Sequence, residues 1–137
     1  LDLSLDNYKV MRKSVYANNV HRHKNPIPHA SILNGLMISS AITGIDHKTG
    51  DFPQSNEEQI KLTFQNMKAI LKAGEASIND IIKIDLYFKD KADRKLVNPY
   101  WLKLFPNELS RPSRHAHLSQ LEGKCIFQIV FTALLNR

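Results

Sequence analysis

The stretch CIFQIVFTALL, residues 125–135, indicates the fold class of this chain most directly. Side chains alternate between the two faces of a β-strand, and both alternating sets are largely apolar in this stretch. One set contains Ile126 and Val130. The other set comprises Cys125, Phe127, Ile129 and Phe131. The stretch therefore predicts a strand in a sheet that is covered on both faces.

Two apolar runs nearer the start of the chain predict a β-hairpin. Residues 30–33 and 36–42 are separated by Asn34-Gly35, which is a strong signal for a two-residue hairpin turn. Asn25-Pro26-Ile27-Pro28 comes before the hairpin. It predicts an extended turn, because a residue that precedes proline avoids the helical region.

A helix and a third strand are predicted next. Ser55 and Glu58 form a capping box that begins the helix, and Gly74 marks its end. Residues 81–88 alternate between apolar and polar side chains, which is typical of a half-buried strand. The apolar side chains that should share its buried face are Ile82, Ile84, Leu86 and Phe88.

The remaining elements complete a single α+β domain. Asp90 caps a second helix, in which Pro99 predicts a break near Asn98. Strands at residues 113–120 and 124–135 close the chain, giving the order β-β-α-β-α-β-β. We therefore predict a mixed β-sheet with two helices packed on one face. Two helices leave the other face uncovered, and association of identical subunits would bury it.

Length and composition agree with one globular domain. The chain has 137 residues, of which 42% are hydrophobic and 23% are charged. Residues 1–24 are predicted to form a polar, basic N-terminal extension, and residues 25–137 the folded domain. No apolar run approaches the roughly 18 residues that span a bilayer, so no membrane partner is predicted. The single cysteine, Cys125, favours a reducing compartment, and we predict a cytoplasmic protein.

The net charge of +6 is concentrated near the start of the chain, where no acidic residue occurs between Asp6 and Asp46. A solvated basic flank and an attraction for nucleic acid both fit this pattern. The flank lacks the interleaved aromatic and basic residues of single-strand binders. Nucleic acid is therefore not predicted as a partner.

Arg114 is the strongest candidate for a ligand-binding residue. It follows the turn Arg111-Pro112-Ser113 and stands at the start of a predicted strand. A planar guanidinium with five donors suits the binding of a carboxylate or a phosphate. An intersubunit salt bridge is the alternative role.

Two histidine pairs have a spacing that is compatible with zinc. His21-x-His23 and His115-x-His117 each place two imidazoles on one face of a strand. The sequence offers no convincing third ligand for either pair. Neither a metal nor another cofactor is therefore predicted.

Motifs spread over residues 25–135 resemble the Rid family, also called the YjgF/YER057c/UK114 family, of reactive-intermediate deaminases. No single motif is decisive, but their order and spacing together are specific. The motifs are Asn25-Pro26-Ile27-Pro28, Ser39-Ser40-Ala41, Lys48-Thr49-Gly50, Asn66-Met67-Lys68-Ala69-Ile70-Leu71, Phe88-Lys89-Asp90, Val97-Asn98 with Trp101, and Arg111-Pro112-Ser113-Arg114.

The resemblance implies a homotrimer of chorismate-mutase-like subunits with a ligand cleft at each interface. It implies hydrolytic deamination of enamines and imines of the 2-aminoacrylate type to 2-keto acids and ammonia. Arg114 matches the arginine that pairs with the substrate carboxylate, and Ser40 and Ala41 match residues that line the cleft. Asn98 matches the asparagine of the second helix.

Gln128 stands where deaminating members of that family carry a glutamate. An amide can hold a water molecule but cannot take its proton. His29 stands near the position of the family's usual tyrosine, and His29, His115 and His117 are candidates for the missing base. His29 and His115 are also candidate substrate contacts.

Two alternatives to a deaminase remain open. Without a catalytic glutamate, the same cleft would serve as a non-catalytic binding module for small carboxylates. An endoribonuclease or translation-inhibitor activity, known from some relatives, has only the basic flank in its favour.

Overall fold

A computed structural model describes residues 11–136 of the chain. Within this range six strands form one mixed sheet, and two α-helices lie on one side of it. The strands are β1 (Lys13–Val15), β2 (Ala30–Leu33), β3 (Leu36–Ser39), β4 (Ile81–Phe88), β5 (Ser113–Leu118) and β6 (Phe127–Leu134). The helices are α1 (Asn56–Ala73) and α2 (Asn98–Leu104). The predicted α+β class with a mixed sheet is confirmed.

The strands follow the spatial order β1-β2-β3-β6-β4-β5. Each described pair is antiparallel except β4 and β5, which run parallel. Phe127, Ile129 and Phe131 of β6 are completely buried, on the face that the helices cover. The last apolar stretch of the sequence therefore forms an interior strand, and β5 is an edge strand.

The hairpin between β2 and β3 has the predicted turn. Asn34 and Gly35 both have positive φ angles, 51° and 81°, as a type I′ turn requires. A Cβ atom at Gly35 would lie 2.8 Å from the carbonyl oxygen of Leu135. Glycine is therefore needed both for its backbone conformation and for the close approach of the chain after β6.

Both predicted caps form, but only Ser55 caps an α-helix. The Glu58 amide donates to the Ser55 hydroxyl at 3.1 Å, and α1 begins after Ser55. The Asp90 carboxylate accepts from the Ala92 amide at 2.9 Å and caps the 3-10 turn Lys91–Leu96.

The second helical region is interrupted where Pro99 predicted a break. The 3-10 turn ends at Leu96, and α2 starts at Asn98 with Pro99 in its first turn. Proline is tolerated there because the first amides of a helix have no partner within the helix. The break fixes Asn98 at the start of α2.

Residues 13–24 differ from the predicted N-terminal extension. Strand β1 pairs with β2, and Val15, Ala17 and Val20 are buried in the core. The element order therefore gains one strand, and the folded unit starts before residue 25. Three scattered apolar residues give no clear periodic pattern, and their burial depends on pairing with β2. Residues 1–10 of the predicted extension lie outside the described residues.

One residue of β4 departs from the predicted alternation. Ile82 is 51% exposed, whereas Ile81 is buried. The register between β4 and β6 shifts between Ile81 and Lys83, which marks an irregularity of the bulge type. The prediction that Ile82 shares the buried face is therefore wrong, because alternation assumes an uninterrupted ladder.

The face of the sheet opposite the helices, called the open face below, carries exposed apolar side chains at one end. Leu36, Ile38 and Leu134 are 41%, 44% and 52% exposed. Leu36 pairs directly with Leu134, so these side chains form one apolar surface on β3 and β6. Within residues 11–136, no helix has both the length and the apolar character needed to cross a bilayer.

Candidate functional site

Arg114 lies on the edge strand β5 and reaches the side of the sheet that carries the helices. It pairs with Ile84, whose side chain is buried on that side. Its Nη1 donates to Asn98 Oδ1 at 3.1 Å. Its guanidinium carbon lies 5.0 Å from the centroid of the Trp101 ring, within cation–π range. These three residues, Asn98, Trp101 and Arg114, are called the arginine half-site below.

Within residues 11–136, no acid forms an ion pair with Arg114. Partial burial lowers the pKa of Arg114, and the neighbouring Arg94 lowers it further, although a guanidinium stays charged at any physiological pH. Two neighbouring cations without an acid make this a favourable position for an anionic ligand.

Ser40 and Ala41 follow β3. The Ser40 hydroxyl donates to the Pro28 carbonyl at 2.8 Å, and its amide donates to the His29 carbonyl at 3.0 Å. Ala41 is exposed, and its amide has no acceptor within residues 11–136. Ser40 therefore holds the chain in place, and Ala41 presents a free backbone donor. A pocket of about 200 Å³ opens beside them.

His29 is buried and engaged through both ring nitrogens. Its Nδ1 accepts from the Ala17 amide at 2.9 Å, so the proton lies on Nε2. Nε2 is 3.0 Å from the carbonyl oxygen of His21 and donates to it. Within this chain the imidazole therefore connects the strand segments around β1 and leaves no lone pair for a substrate.

Gln128 lies on β6, beside the segment that follows β3. An isolated antiparallel bridge joins Ile42 to Ile129, so Gln128 stands opposite Thr43, whereas Ala41 stands opposite Val130. Gln128 is only partly buried, and it pairs with Tyr87 of β4 on the open face. The group of Ser40, Ala41 and Gln128 is called the amide half-site below.

Cys125 is close to Gln128 and does not act as a nucleophile. Burial raises the pKa of its thiol, although hydrogen bonds involving Phe127 and Gln128 and the charge of Lys89 act in the opposite direction. The thiol therefore stays protonated near neutral pH, and only the thiolate is a strong nucleophile.

The two remaining histidine candidates lie on the open face. The His117 Nε2 atom is 2.9 Å from Asp85 Oδ1, and the His117 ring stacks on Tyr87 with centroids 4.6 Å apart. His115 is exposed beside them, with its ring centroid 4.1 Å from that of His117. Sequence reasoning missed Asp85 and Tyr87, because only the pairing of β4 with β5 brings them to the histidines.

The structure places the predicted site residues in two separate half-sites, with His29 and His115 outside both. Strand β4 lies between β5 and β6, so the backbones of Arg114 and Gln128 are two strand spacings apart across the sheet, about 10 Å. They are also offset along it, because Arg114 pairs with Ile84 and Gln128 pairs with Tyr87. Their side chains also leave opposite faces of the sheet. One chain therefore does not hold the arginine half-site against the amide half-site. Arg94, the second cation beside Arg114, carried no signal in the sequence.

These features define a class: an α+β protein with an arginine on an edge strand and a backbone donor after β3, neither of which has a partner of the expected kind among the described residues. A family model described as Endoribonuclease L-PSP matches residues 12–133. The chain belongs to this family, the Rid (YjgF/YER057c/UK114) family that its motifs indicated.

Individual relatives agree with the family assignment. The chain is 31% identical over 105 residues to Reactive Intermediate Deaminase A, chloroplastic, of Arabidopsis thaliana, covering 76% of this chain and 56% of that protein. It is 27% identical over 95 residues to the 2-iminobutanoate/2-iminopropanoate deaminase of Escherichia coli strain K12, covering 69% and 74%.

The fold is also that of solved family structures. The crystal structure of the YjgF gene product of Escherichia coli is similar, with a TM-score of 0.81 and 24% sequence identity. The similarity covers 91% of this chain and 99% of that chain. The order of strands and helices is therefore shared over nearly the whole domain.

Proposed function

We propose that this chain hydrolyses small 2-imino acids and their enamine tautomers to 2-keto acids and ammonia. The observation that carries the proposal is the Arg114 guanidinium, which Asn98 and Trp101 hold in place and which no described carboxylate neutralises. The names of the two deaminase relatives support the same reaction class.

The reaction requires one water molecule and several proton transfers. Arg114 binds the substrate carboxylate through paired hydrogen bonds. The water oxygen adds to the imine carbon, and the nitrogen takes up a proton. The carbinolamine then collapses, the C–N bond breaks, and ammonia leaves as the C=O bond of the keto acid forms. The free Ala41 amide suits the orientation of a developing oxygen, and Gln128 positions the water.

The proposed cleft lies between subunits of a homotrimer. Arg114 and Gln128 are too far apart within one chain to contact one small substrate. A cleft that joins the arginine half-site of one copy to the amide half-site of the next would bring them together. The exposed apolar surface of Leu36, Ile38 and Leu134 supports burial of the β3–β6 end of the open face against another copy.

Association is expected to depend on the open face. Ile38→Lys places a charge in the apolar surface, and we expect it to convert trimers to monomers in sedimentation-velocity experiments. Leu109→Lys is the matched control, because Leu109 is 91% exposed outside the sheet. Equal sedimentation of Ile38→Lys and the wild type at micromolar concentration would contradict an interface on this face.

The proposed activity is tested with a substrate made in situ. A pyridoxal-phosphate-dependent dehydratase generates 2-aminoacrylate, and semicarbazide traps it as the semicarbazone. The wild-type chain should lower the semicarbazone yield in proportion to its concentration while keto acid forms faster. A trapped yield that does not change with the amount of added chain would rule out this activity for that substrate.

A non-catalytic carboxylate-binding module is the second candidate. The observation in its favour is Gln128, whose amide cannot act as a general base. This alternative uses the same arginine half-site, so it differs from the first only in turnover. The rates and Tm shifts of Gln128→Glu and Arg114→Ala distinguish the two candidates.

A further inference from the structure

Asp85, His115 and His117 form a cluster on the open face that the proposed deamination does not use. The parallel register of β4 and β5 places Asp85 beside His115 and Tyr87 beside His117. One potential ligand atom from each of the three side chains lies within 4.8 Å of the other two. No other group of three such side chains was found within residues 11–136.

We propose that Asp85, His115 and His117 bind a divalent transition-metal ion of the zinc type. Two imidazoles and one carboxylate are ligands that zinc prefers, with bonds of about 2.0–2.2 Å. Tetrahedral coordination at these bond lengths needs ligand atoms about 3.3–3.5 Å apart. Side-chain rotations that shift the ligand atoms by roughly 1 Å would therefore bring the cluster to binding geometry.

The cluster is partly preorganised for this role. His117 stacks on the Tyr87 ring at an interplanar angle of 12°, which restricts the rotation of its imidazole. Asp85 is only partly exposed and already contacts His117 Nε2. His115 is exposed, so it can turn toward an ion from the solvent side. Three protein ligands also leave a fourth position for water.

The charge of Asp85 suits a cation. A carboxylate is ionised near neutral pH, so Asp85 offers an anionic oxygen beside the two imidazoles. Lys83 Nζ is 3.5 Å from Asp85 Oδ1 and competes with an ion for the carboxylate. The Lys83 side chain is 46% exposed and can move into solvent when an ion binds.

The second histidine pair provides a matched control. His21-x-His23 has the same spacing as His115-x-His117, but no acid completes a cluster with it in the described part of the chain. His23 Nδ1 instead accepts from the Asn25 amide at 3.0 Å. A double His21→Ala/His23→Ala variant therefore removes an equal number of imidazoles without touching the proposed site.

The test is a titration of EDTA-treated, dialysed protein with Zn²⁺ by calorimetry and with Co²⁺ by visible absorption. We expect saturable binding of one ion per chain and Co²⁺ d–d bands typical of bound nitrogen and oxygen ligands. His115→Ala and Asp85→Asn should each weaken binding by more than about tenfold, since even indirect partners of a metal affect affinity on that scale. The His21→Ala/His23→Ala variant should bind as the wild type does.

His115 is exposed, so the His115→Ala variant is expected to fold normally. Its affinity for the ion therefore tests the proposal even if Asp85→Asn does not fold. Wild-type protein that binds no ion would overturn the proposal. Unchanged affinity in His115→Ala would do so as well, as would loss of binding in the His21→Ala/His23→Ala variant alone. Because the readout is ion binding, the result does not depend on deaminase activity.

Discussion

Gln128→Glu is expected to raise kcat/KM for imine hydrolysis by about 10²–10⁴-fold, the usual contribution of one general base. Gln128 is partly buried on the open face, opposite Thr43 of the segment that follows Ala41. A glutamate of nearly the same shape would keep the water-binding oxygen and add the ability to take a proton. The gain is measured as the rate of keto-acid formation from 2-aminoacrylate.

The pH profile separates a new base from a change in folding. The activity added by Gln128→Glu should fall at acidic pH as the carboxylate is protonated, around its reference pKa of about 4.3 unless the site shifts it. Gln65→Glu is the matched control, because Gln65 is exposed on α1 and the variant has the same change of charge. Equal rates in Gln128→Glu and the wild type would contradict a water-positioning role for Gln128.

Arg114→Ala is expected to lower kcat/KM by about 10- to 100-fold. Hydrogen bonds to a charged group contribute about 1.5–3 kcal/mol, and each 1.36 kcal/mol corresponds to a factor of ten. Most of the loss should be seen in KM, because the guanidinium holds the carboxylate before and during the reaction. Arg114→Lys should recover only part of it, since an ammonium cannot form the paired hydrogen bonds.

Arg111→Ala is the control for Arg114→Ala, because it removes the same positive charge at a different position. Arg111 lies in the same turn, but its guanidinium donates to the carbonyls of Phe105 and Pro106 and so supports the loop. If the wild type is inactive yet 2-ketobutyrate raises its Tm, and Arg114→Ala abolishes that shift, the binding module is the better description. If Arg114→Ala matches the wild type in both rate and Tm shift, Arg114 is not the anchor.

Local elements of the fold were predictable because short-range contacts determine them. The Asn34-Gly35 turn, the Ser55 cap and the break at Asn98 each depend on residues within a few positions of one another. The strand β1 and the exposure of Ile82 were not predictable in this way. Both depend on pairing with strands that are distant in the sequence.

The candidate site was also predictable only in part. Arg114 was recognisable because a guanidinium at a strand start is informative by itself, and Asn98 followed from the family resemblance. Their hydrogen bond at 3.1 Å brings both into one half-site. The separation of Arg114 from Gln128 was not visible in the sequence, because it results from the insertion of β4 between β5 and β6.

The sequence by itself determined the α+β class, the family and the residue types available for binding a carboxylate, because these follow from periodicity and motifs along the chain. Only the tertiary structure decided which side chains meet. No third ligand for His115 and His117 could be recognised in the sequence, whereas the parallel register of β4 and β5 places Asp85 beside them. Strand register depends on contacts between distant segments, and a single strand's pattern does not encode its neighbour.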